Sequence, residues 1–281
     1  MKLEIKQIVA PDDTMLSLRT AVHARPRAQV LLVHGYSDHG GQYEHVMELF
    51  HGHGFTIAAG DLRGHGTSAG ERGHIRRFSD YLYDVQTMIG QLRNHEDADL
   101  PLLLVGHSLG GLVTLRFAQT SPAHVDGIVL AAPFLDLRFQ VPAWKRMLAP
   151  LASLVAPAFA LPSGLPPAEL SHDPDWIVQF EHDPLAFKRA TARWFMETLS
   201  AQGAARAAAA ELSLPSLTLL AGDDHIVCNE TARELHAAFN AAPAEISVYE
   251  DFYHALLHET EHARVVDDIV AWAERHLPLR R

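Results

Sequence analysis

The segment Gly106-His107-Ser108-Leu109-Gly110 constrains the fold of this chain more than any other. The apolar run Leu102–Val105 precedes it, and the helical pattern Gly111–Ala118 follows it. A turn this sharp between a strand and a helix forces its central residue into an unfavourable backbone conformation, and flanking glycines remove side chains that would clash there. Such a turn presents the serine hydroxyl at the N-terminus of the helix. The segment therefore predicts strands that lead into helices, with Ser108 as a candidate nucleophile.

Other short apolar runs predict the remaining strands of the same sheet. Several are continuously apolar, which is typical of strands that are buried on both faces. Because helical patterns alternate with these runs, we predict an α/β fold with a mostly parallel, eight-stranded sheet flanked by helices. The first two runs alternate more and are expected to form an antiparallel hairpin at one edge. The predicted strands are Leu3–Val9, Met15–Val22, Gln29–His34, Phe55–Ala59, Leu102–Val105, Gly127–Ala131, Ser216–Ala221 and Glu245–Tyr249.

The stretch from Phe134 to Leu214 interrupts this alternation and is far longer than an ordinary connection. It is rich in proline and alanine and carries the apolar pieces Leu148–Ala160 and Ala186–Leu199, whereas a linker would be more polar. The alanine-rich piece Ala204–Leu212 is helical by propensity. We therefore predict a helical cap over residues 134–214, inserted into a core formed by residues 1–133 and 215–281.

The charge of the chain argues against a nucleic-acid partner. The formal net charge is −11 over 281 residues, whereas phosphate binding needs clustered lysine and arginine. The short basic pieces Arg76-Arg77 and Arg280-Arg281 are interpreted as solvated surface charge. The single cysteine, Cys228, excludes an intrachain disulfide.

The N-terminal segment Met1–Lys6 alternates charged and apolar residues and has no signal-peptide core. No stretch of the sequence reaches the roughly 18 consecutive apolar residues that a membrane span needs. We therefore expect a soluble, cytoplasmic protein, and peripheral contact of the cap with a membrane stays open.

A serine nucleophile needs a base, and that base needs a carboxylate to orient it. At a turn of this kind the three follow in the order serine, acid, histidine. The predicted strand Ser216–Ala221 is followed by Gly222-Asp223-Asp224, and the predicted strand Glu245–Tyr249 is followed by Tyr253-His254. Because both loops follow the carboxyl ends of strands, we expect them at the same edge of the sheet as Ser108. The predicted catalytic residues are therefore Ser108, Asp224 and His254.

The choice between the two adjacent aspartates depends on the residues that come after them. Val227, three residues after Asp224, allows the loop to fold back onto the core with that carboxylate facing inward. Asp223 is then expected to be a turn residue that bonds its own backbone. His254 is the first histidine after the last strand, and His258 and His262 are expected on the following helix.

The segment His34-Gly35-Tyr36, at the end of another predicted strand, is a candidate oxyanion hole. A tetrahedral intermediate needs two N–H donors aimed at its developing oxyanion. One is expected from Leu109, directly after the nucleophile, and the other from Tyr36, where Gly35 lets the backbone come close.

Two other motifs would indicate different chemistry, but each is less complete than the serine motif. His258-Glu259-Thr260-Glu261-His262 matches a zinc-protease pattern that would set two histidines on one helix face, but a catalytic zinc needs a third protein ligand and the sequence suggests none. The glycine-rich piece Asp61–Gly66 lacks the full dinucleotide-binding spacing because Gly70 falls one residue late. We interpret it as a loop that packs near the site, and we predict neither a metal nor a cofactor.

Taken together, five segments resemble the monoacylglycerol lipase and lysophospholipase group of α/β-hydrolases. They are His34–Tyr43, Asp61–Ser68, Gly70–Gly73, Gly106–Gly111 and Tyr253–Glu259. The resemblance covers residues from about 29 to 135 and from 215 to 262.

The resemblance implies the α/β-hydrolase fold and a carboxylic ester hydrolase that acts on lipid-like esters without a cofactor. It carries the triad onto Ser108, Asp224 and His254, and the oxyanion donors onto Tyr36 and Leu109. It also implies a helical cap before the strand that precedes the acid.

The substrate expected from these features is a monoacylglycerol or a lysophospholipid, cleaved through an acyl-enzyme on Ser108. The apolar residues of the cap could line an acyl-chain site or form the small core of the cap itself, and the sequence favours neither. The candidate substrate-binding residues are Trp176, Phe180, Trp194 and Phe195.

Two other functions stay open at this point. An aminopeptidase of the same fold would bind a free amine through a cap carboxylate such as Glu181 or Asp183. A non-enzymatic relative that binds a small ligand would usually have lost part of the triad, and all three members are present here.

Overall fold

A computed structural model describes residues 1–93, 99–139, 141–163, 166–240 and 243–280 of the chain. Arg281, the second member of the C-terminal basic pair, lies outside these ranges. The strands are β1 Glu4–Val9, β2 Met15–Ala21, β3 Ala28–Val33, β4 Phe55–Gly60, β5 Leu102–His107, β6 Gly127–Ala131, β7 Ala160–Pro162, β8 Arg189–Thr191, β9 Ser216–Ala221 and β10 Ala244–Tyr249. The helices are α1 Glu44–Gly52, α2 Ser79–Arg93, α3 Leu109–Thr120, α4 Ala143–Val155, α5 Pro174–His182, α6 Ala192–Ala207, α7 Asn229–Ala237 and α8 His262–His276.

The central sheet has eight strands in the order β1-β2-β4-β3-β5-β6-β9-β10. The neighbours from β4 to β10 pair in parallel, whereas β1 with β2 and β2 with β4 pair antiparallel. The predicted mostly parallel sheet is confirmed, as is the antiparallel hairpin at its edge. Each predicted strand matches an observed one to within two residues at either end. This is the α/β-hydrolase fold.

Helices cover both faces of the sheet, which explains why the central strands are continuously apolar. Every residue of β3 and of β5 is buried. Successive residues of β3 point to opposite faces: Leu31 and Val33 pack with residues of α2 and α3, and Val30 and Leu32 pack with residues of α1 and α8. Each strand therefore contributes to two apolar layers, and only a nearly uniform apolar run satisfies both.

The segment between β6 and β9 contains α4, α5, α6 and a short antiparallel pair formed by β7 and β8. The helix predicted over Ala204–Leu212 is wrong in its bounds: α6 ends at Ala207, and a short 3-10 turn follows over Ala209–Glu211. Alanine has the highest helix propensity, but propensities amount to less than about 1 kcal/mol per residue, so tertiary contacts override them. Here Leu212 is fully buried, and the chain must turn to reach β9. The division into core and cap stays a prediction.

Among the described residues, no helix combines the length and the apolar character that a membrane crossing requires.

Candidate active site

Ser108 occupies a sharp turn between β5 and α3. Its backbone has φ of 53° and ψ of −115°, a conformation that residues with a side chain rarely adopt. The neighbouring glycines make the turn sterically feasible, because a Cβ at Gly106 would overlap the carbonyl oxygen of Gly110, and a Cβ at Gly110 would overlap that of Val33. The turn thus holds Ser108 at the carboxyl edge of the sheet, where the sequence predicted it.

The structure brings Ser108, His254 and Asp224 into one chain of hydrogen bonds. Nε2 of His254 lies 2.8 Å from Oγ of Ser108, and Nδ1 of His254 lies 2.8 Å from Oδ2 of Asp224. The three residues are 8%, 3% and 1% exposed, respectively. In this geometry a proton on Nδ1 is held by Asp224, so Nε2 is the acceptor that faces the serine hydroxyl. In this arrangement His254 can take the proton of the Ser108 hydroxyl while the hydroxyl oxygen attacks a carbonyl carbon.

The loop after β9 distinguishes the two aspartates. Oδ1 of Asp224 accepts the amides of Ile226 and Val227 at 2.8 and 2.9 Å, which leaves Oδ2 for His254. Burial raises the pKa of Asp224, but the pairing with His254 and these two amides outweigh burial and hold the pKa below its ordinary value. Asp224 therefore stays ionised in its buried position.

Asp223 faces solvent, whereas its neighbour Asp224 is buried. Oδ1 of Asp223 lies 3.1 Å from Nε2 of His225. The expectation that Asp223 bonds its own backbone is wrong, because its carboxylate lies instead beside the imidazole two residues further along the loop. The geometry brings Asp224, and not Asp223, to His254.

Gly35 and Tyr36 line the same cavity as Ser108. A Cβ at Gly35 would lie 3.4 Å from Cβ of Ser108 and 3.1 Å from Nδ1 of His107, so this position has little room for a side chain. Among the described residues, the amides of Tyr36 and Leu109 donate to no other protein group. Both candidate oxyanion donors are thus unpaired next to the nucleophile.

Three residues that sequence reasoning missed form a buried network behind Ser108. The hydroxyl of Tyr43 lies 2.5 Å from Oδ2 of Asp38 and 3.0 Å from Nδ1 of His107, and Nε2 of His107 lies 3.2 Å from the carbonyl oxygen of His254. Burial raises the pKa of Asp38 to about 6 and lowers that of His107 to about 3. All three lie inside segments that the sequence analysis named, Asp38 and Tyr43 in His34–Tyr43 and His107 in Gly106–Gly111, but nothing in the spacing reveals that the two segments meet.

A largely apolar cavity of about 750 Å³ opens beside Ser108 and His254. All four candidate substrate-binding residues, Trp176, Phe180, Trp194 and Phe195, line it. Cavities of this size accommodate organic ligands of substantial length. Further lining comes from the segment after β6, including Leu148, Ala152, Phe159, Leu161 and Leu199. The cavity is therefore suited to a long apolar chain whose reactive end reaches Ser108.

Glu181 and Asp183, the carboxylates that an aminopeptidase was expected to use, do not line this cavity. Glu181 is exposed, and Oδ2 of Asp183 lies 2.8 Å from Nε2 of His39 and 3.1 Å from Nε2 of Gln42. The carboxylates that do line the cavity are Asp38, already bonded to Tyr43, and Asp136.

The residues of the zinc-protease pattern lie on different elements. His258 ends a 3-10 turn and packs against Trp176 with ring centroids 4.6 Å apart, whereas His262 is the first residue of α8. The expectation that both histidines lie on the following helix is wrong for His258, because the chain turns between them at Glu259, whose carboxylate bonds His172. In the described part of the chain, no group of three or more His, Cys, Asp or Glu side chains is arranged to hold a metal ion.

The chain is similar to several known proteins. The family described as Serine aminopeptidase, S33 (Hydrolase_4) matches residues 24–261. The chain is 30% identical to phospholipase YtpA of Bacillus subtilis, covering 90% of this chain and 97% of that protein, and 29% identical to the monoacylglycerol lipase of Mycolicibacterium smegmatis, covering 90% of each. The crystal structure of the Paleococcus ferrophilus monoacylglycerol lipase superimposes with a TM-score of 0.82 at 29% identity, covering 98% of this chain and 100% of that one.

Proposed function

Since the chain belongs to the Hydrolase_4 family and is a carboxylic ester hydrolase, we propose that it cleaves monoacylglycerols or lysophospholipids through an acyl-enzyme on Ser108. The observation that carries this proposal is the 2.8 Å contact between Oγ of Ser108 and Nε2 of His254 beside the apolar cavity. A nucleophile and its base can act on many kinds of carbonyl substrate, so they do not by themselves select one. The apolar lining is what favours an ester with a long acyl chain.

In the proposed acylation step, Oγ of Ser108 attacks the ester carbonyl while Nε2 of His254 takes the hydroxyl proton. The amides of Tyr36 and Leu109 hold the oxyanion that forms on the former carbonyl oxygen. His254, now cationic and paired with Asp224, then protonates the alcohol oxygen as the bond to it breaks. The alcohol leaves, and the acyl group stays on Ser108.

In the proposed deacylation step, a water molecule takes the place of the alcohol. Nε2 of His254 removes a proton from this water as its oxygen attacks the acyl carbon. The proton then returns from His254 to Oγ of Ser108 as the fatty acid is released. The cycle needs no group beyond the side chains and amides already named.

We further propose that residues 134–214 act as a cap over the acyl-chain site. Contacts between this segment and the loop after β3 support the assignment. Ser37 bonds the backbone of Phe187, and the hydroxyl of Tyr36 donates to the carbonyl oxygen of Arg189 at 2.5 Å. A segment that packs on the candidate oxyanion loop can help exclude water from the site.

The outer face of α4 supports a peripheral contact with lipid. Met147, Leu151, Leu154 and Val155 repeat at helical spacing and are 73%, 59%, 74% and 70% exposed. Ala149 and Ala152 of the same helix line the cavity. We propose that this outer face lies in the surface of a lipid aggregate, where an amphipathic helix buries its apolar side. The cytoplasmic location expected from the sequence stays a prediction.

A double substitution, Leu151→Asp with Leu154→Asp, tests the lipid contact. Because each leucine contributes about 1 kcal/mol or more of apolar burial at the surface, binding to phosphatidylglycerol–phosphatidylcholine vesicles should weaken at least about tenfold. Hydrolysis of a dissolved short-chain ester should change less than about twofold, since neither residue lies among those that line the cavity. Tyr83→Asp, which alters another exposed apolar residue on α2, is the matched control. Equal vesicle binding by the wild type, the double variant and Tyr83→Asp would contradict the proposal.

A substrate panel tests the proposed function against the aminopeptidase alternative. Monoacylglycerols and lysophosphatidylcholines of increasing chain length are compared with amino-acid anilides and with short nitrophenyl esters. We expect kcat/KM to rise about tenfold for every two methylene groups that enter the cavity, since each buried methylene contributes about 0.8 kcal/mol. Faster cleavage of amino-acid anilides than of any acyl ester would overturn the proposal and would direct attention to Asp38 and Asp136 as amine ligands.

A further inference from the structure

We propose that Glu259, held by His172 of the proposed cap, is a positioning residue for the catalytic base His254. The inference rests on the proposed function, because it assigns a role within Ser108-dependent chemistry. Glu259 belongs to the zinc-protease pattern, for which the structure shows no metal-binding arrangement among the described residues. Its side chain is buried, and it bonds neither Ser108 nor His254 in the described part of the chain.

The loop that carries His254 contains little regular structure of its own. Strand β10 ends at Tyr249 and helix α8 begins at His262, and a 3-10 turn of three residues, Leu256–His258, lies between them. Yet Nε2 of His254 must stay 2.8 Å from Oγ of Ser108, and such hydrogen bonds hold over a range of only about half an ångström. The loop therefore needs anchors beyond its own turn to hold the imidazole in place.

Glu259 supplies one anchor directly before His254. Its Oε1 accepts the backbone amide of Tyr253 at 2.7 Å. Because a peptide is planar, this bond fixes the direction of the peptide between Phe252 and Tyr253, from which the chain enters His254. The side chain thus closes the loop on itself across six residues and limits how far the base can shift.

The cap supplies a second anchor directly after His254. The amide of Ala255 donates to the carbonyl oxygen of Leu170 at 2.7 Å. One residue further along the cap, Oγ of Ser171 donates to the carbonyl oxygen of His258 at 2.8 Å. The backbone is thereby held on both sides of the base, and one of the two sides depends on the cap.

His172 connects the two anchors. Its amide donates to Oε2 of Glu259 at 3.0 Å, and its Nδ1 lies 3.0 Å from Oε1. Since a carboxylate can only accept, Nδ1 carries the proton in this contact. The same imidazole stacks on the ring of Tyr253, with the ring centroids 3.7 Å apart. One buried carboxylate thus joins the cap to the loop of the base through three N–H groups.

Two substitutions separate the acceptor oxygen from the volume and the charge of Glu259. Glu259→Gln keeps an oxygen that can accept the Tyr253 amide, whereas Glu259→Leu fills similar space without any acceptor. Both variants are neutral, so a role of the charge alone would affect them equally. Glu261→Leu is the matched control, because this carboxylate is exposed and its Oε2 lies 3.9 Å from Nη1 of Arg264.

We expect Glu259→Leu to lower kcat about 100-fold with KM nearly unchanged, because a displacement of about 1 Å in a catalytic group has an effect of this size. Glu259→Gln should stay within about fivefold of the wild type, and Glu261→Leu within about twofold. The rate at which a fluorophosphonate labels Ser108 should fall by the same factor as kcat in each variant. The downfield ¹H resonance of the His254 Nδ1 proton, which bonds Asp224, should be lost in Glu259→Leu alone.

The labelling rate depends on Ser108 and His254 and not on substrate class, so it distinguishes failure of this inference from failure of the proposed function. A wild-type rate in Glu259→Leu, or equal losses in the leucine and glutamine variants, would overturn the role of Glu259 even if the wild type hydrolyses monoacylglycerols.

If Glu259→Leu fails to fold, His172→Phe provides the test. This variant keeps a ring against Tyr253 but removes the Nδ1 donor, and the side chain it replaces is 44% exposed, so the fold should tolerate the change. A fall of about threefold or more in its labelling rate would support the inference. A rate equal to that of the wild type would overturn it.

Discussion

Replacement of Ser108 by alanine is expected to lower kcat for ester hydrolysis by roughly 10⁶-fold, the loss typical of a triad nucleophile. Alanine removes the hydroxyl oxygen that lies 2.8 Å from Nε2 of His254, while the sharp turn and its glycines keep their packing. Activity is measured on a dissolved short-chain monoacylglycerol, and labelling by a fluorophosphonate reports the nucleophile directly. Ester hydrolysis that survives in the variant, or labelling at an unchanged rate, would contradict the role of Ser108.

The two adjacent aspartates provide a matched control for the same mechanism. Asp224→Asn should lower kcat by about 10⁴-fold, because an amide favours the wrong tautomer of the histidine. Asp223→Asn should leave kcat within about threefold, since its exposed carboxylate lies beside His225 and not beside His254, and a surface change of this kind has small effects. A reversal of these two results would assign the acid to Asp223.

The second large effect is expected on stability in mild acid. Below about pH 6 the free energy of unfolding should fall by roughly 2 to 3 kcal/mol for each pH unit, down to about pH 4. The cause is a set of buried histidines that are neutral in the folded protein and take up protons on unfolding. Burial lowers the pKa of each from its ordinary value of 6.5, to about 4 for His34, to about 3 for His107, and well below that value for His65 and His258.

Two buried carboxyl groups offset part of this loss in the free energy of unfolding. Burial raises the pKa of Asp38 and of Asp84 to about 6, so the folded protein already holds these protons in the same pH range. The unfolded chain therefore binds about two more protons than the folded one, and each contributes about 1.4 kcal/mol per pH unit. Stability is then greatest above the ordinary histidine pKa and is lost as the pH falls.

A single variant isolates the contribution of one histidine. Neither ring nitrogen of His258 has a hydrogen-bond partner among the described residues, and its ring stacks on Trp176. His258→Phe should keep the stacking and reduce the acid slope by about 1.4 kcal/mol per pH unit. His182→Gln is the control, because water reaches that exposed ring in both states. Urea unfolding between pH 4.5 and 7.5 measures the slopes, and an unchanged slope in His258→Phe would contradict the explanation.

The sequence alone determined the features that depend on local chain chemistry. Continuous apolar runs are required wherever a strand such as β3 is buried on both faces, so the sheet could be predicted strand by strand. Glycines at 106 and 110 are required by the turn at Ser108 itself, and the order of acid and histidine follows from the strands that precede them. These signals lie within a few residues of the feature that they predict.

Tertiary structure alone decided which side chains meet. His254 is 146 residues from Ser108 along the chain, and Tyr43 is 64 residues from His107, so no local pattern encodes either distance. The contact of Asp224 with His254 likewise joins loops 30 residues apart, although the inward direction of Asp224 was predictable because the amides of Ile226 and Val227 that bind it are local. A side chain's direction and protonation are set by neighbours from remote segments, because burial removes water as a partner and leaves only what the fold supplies.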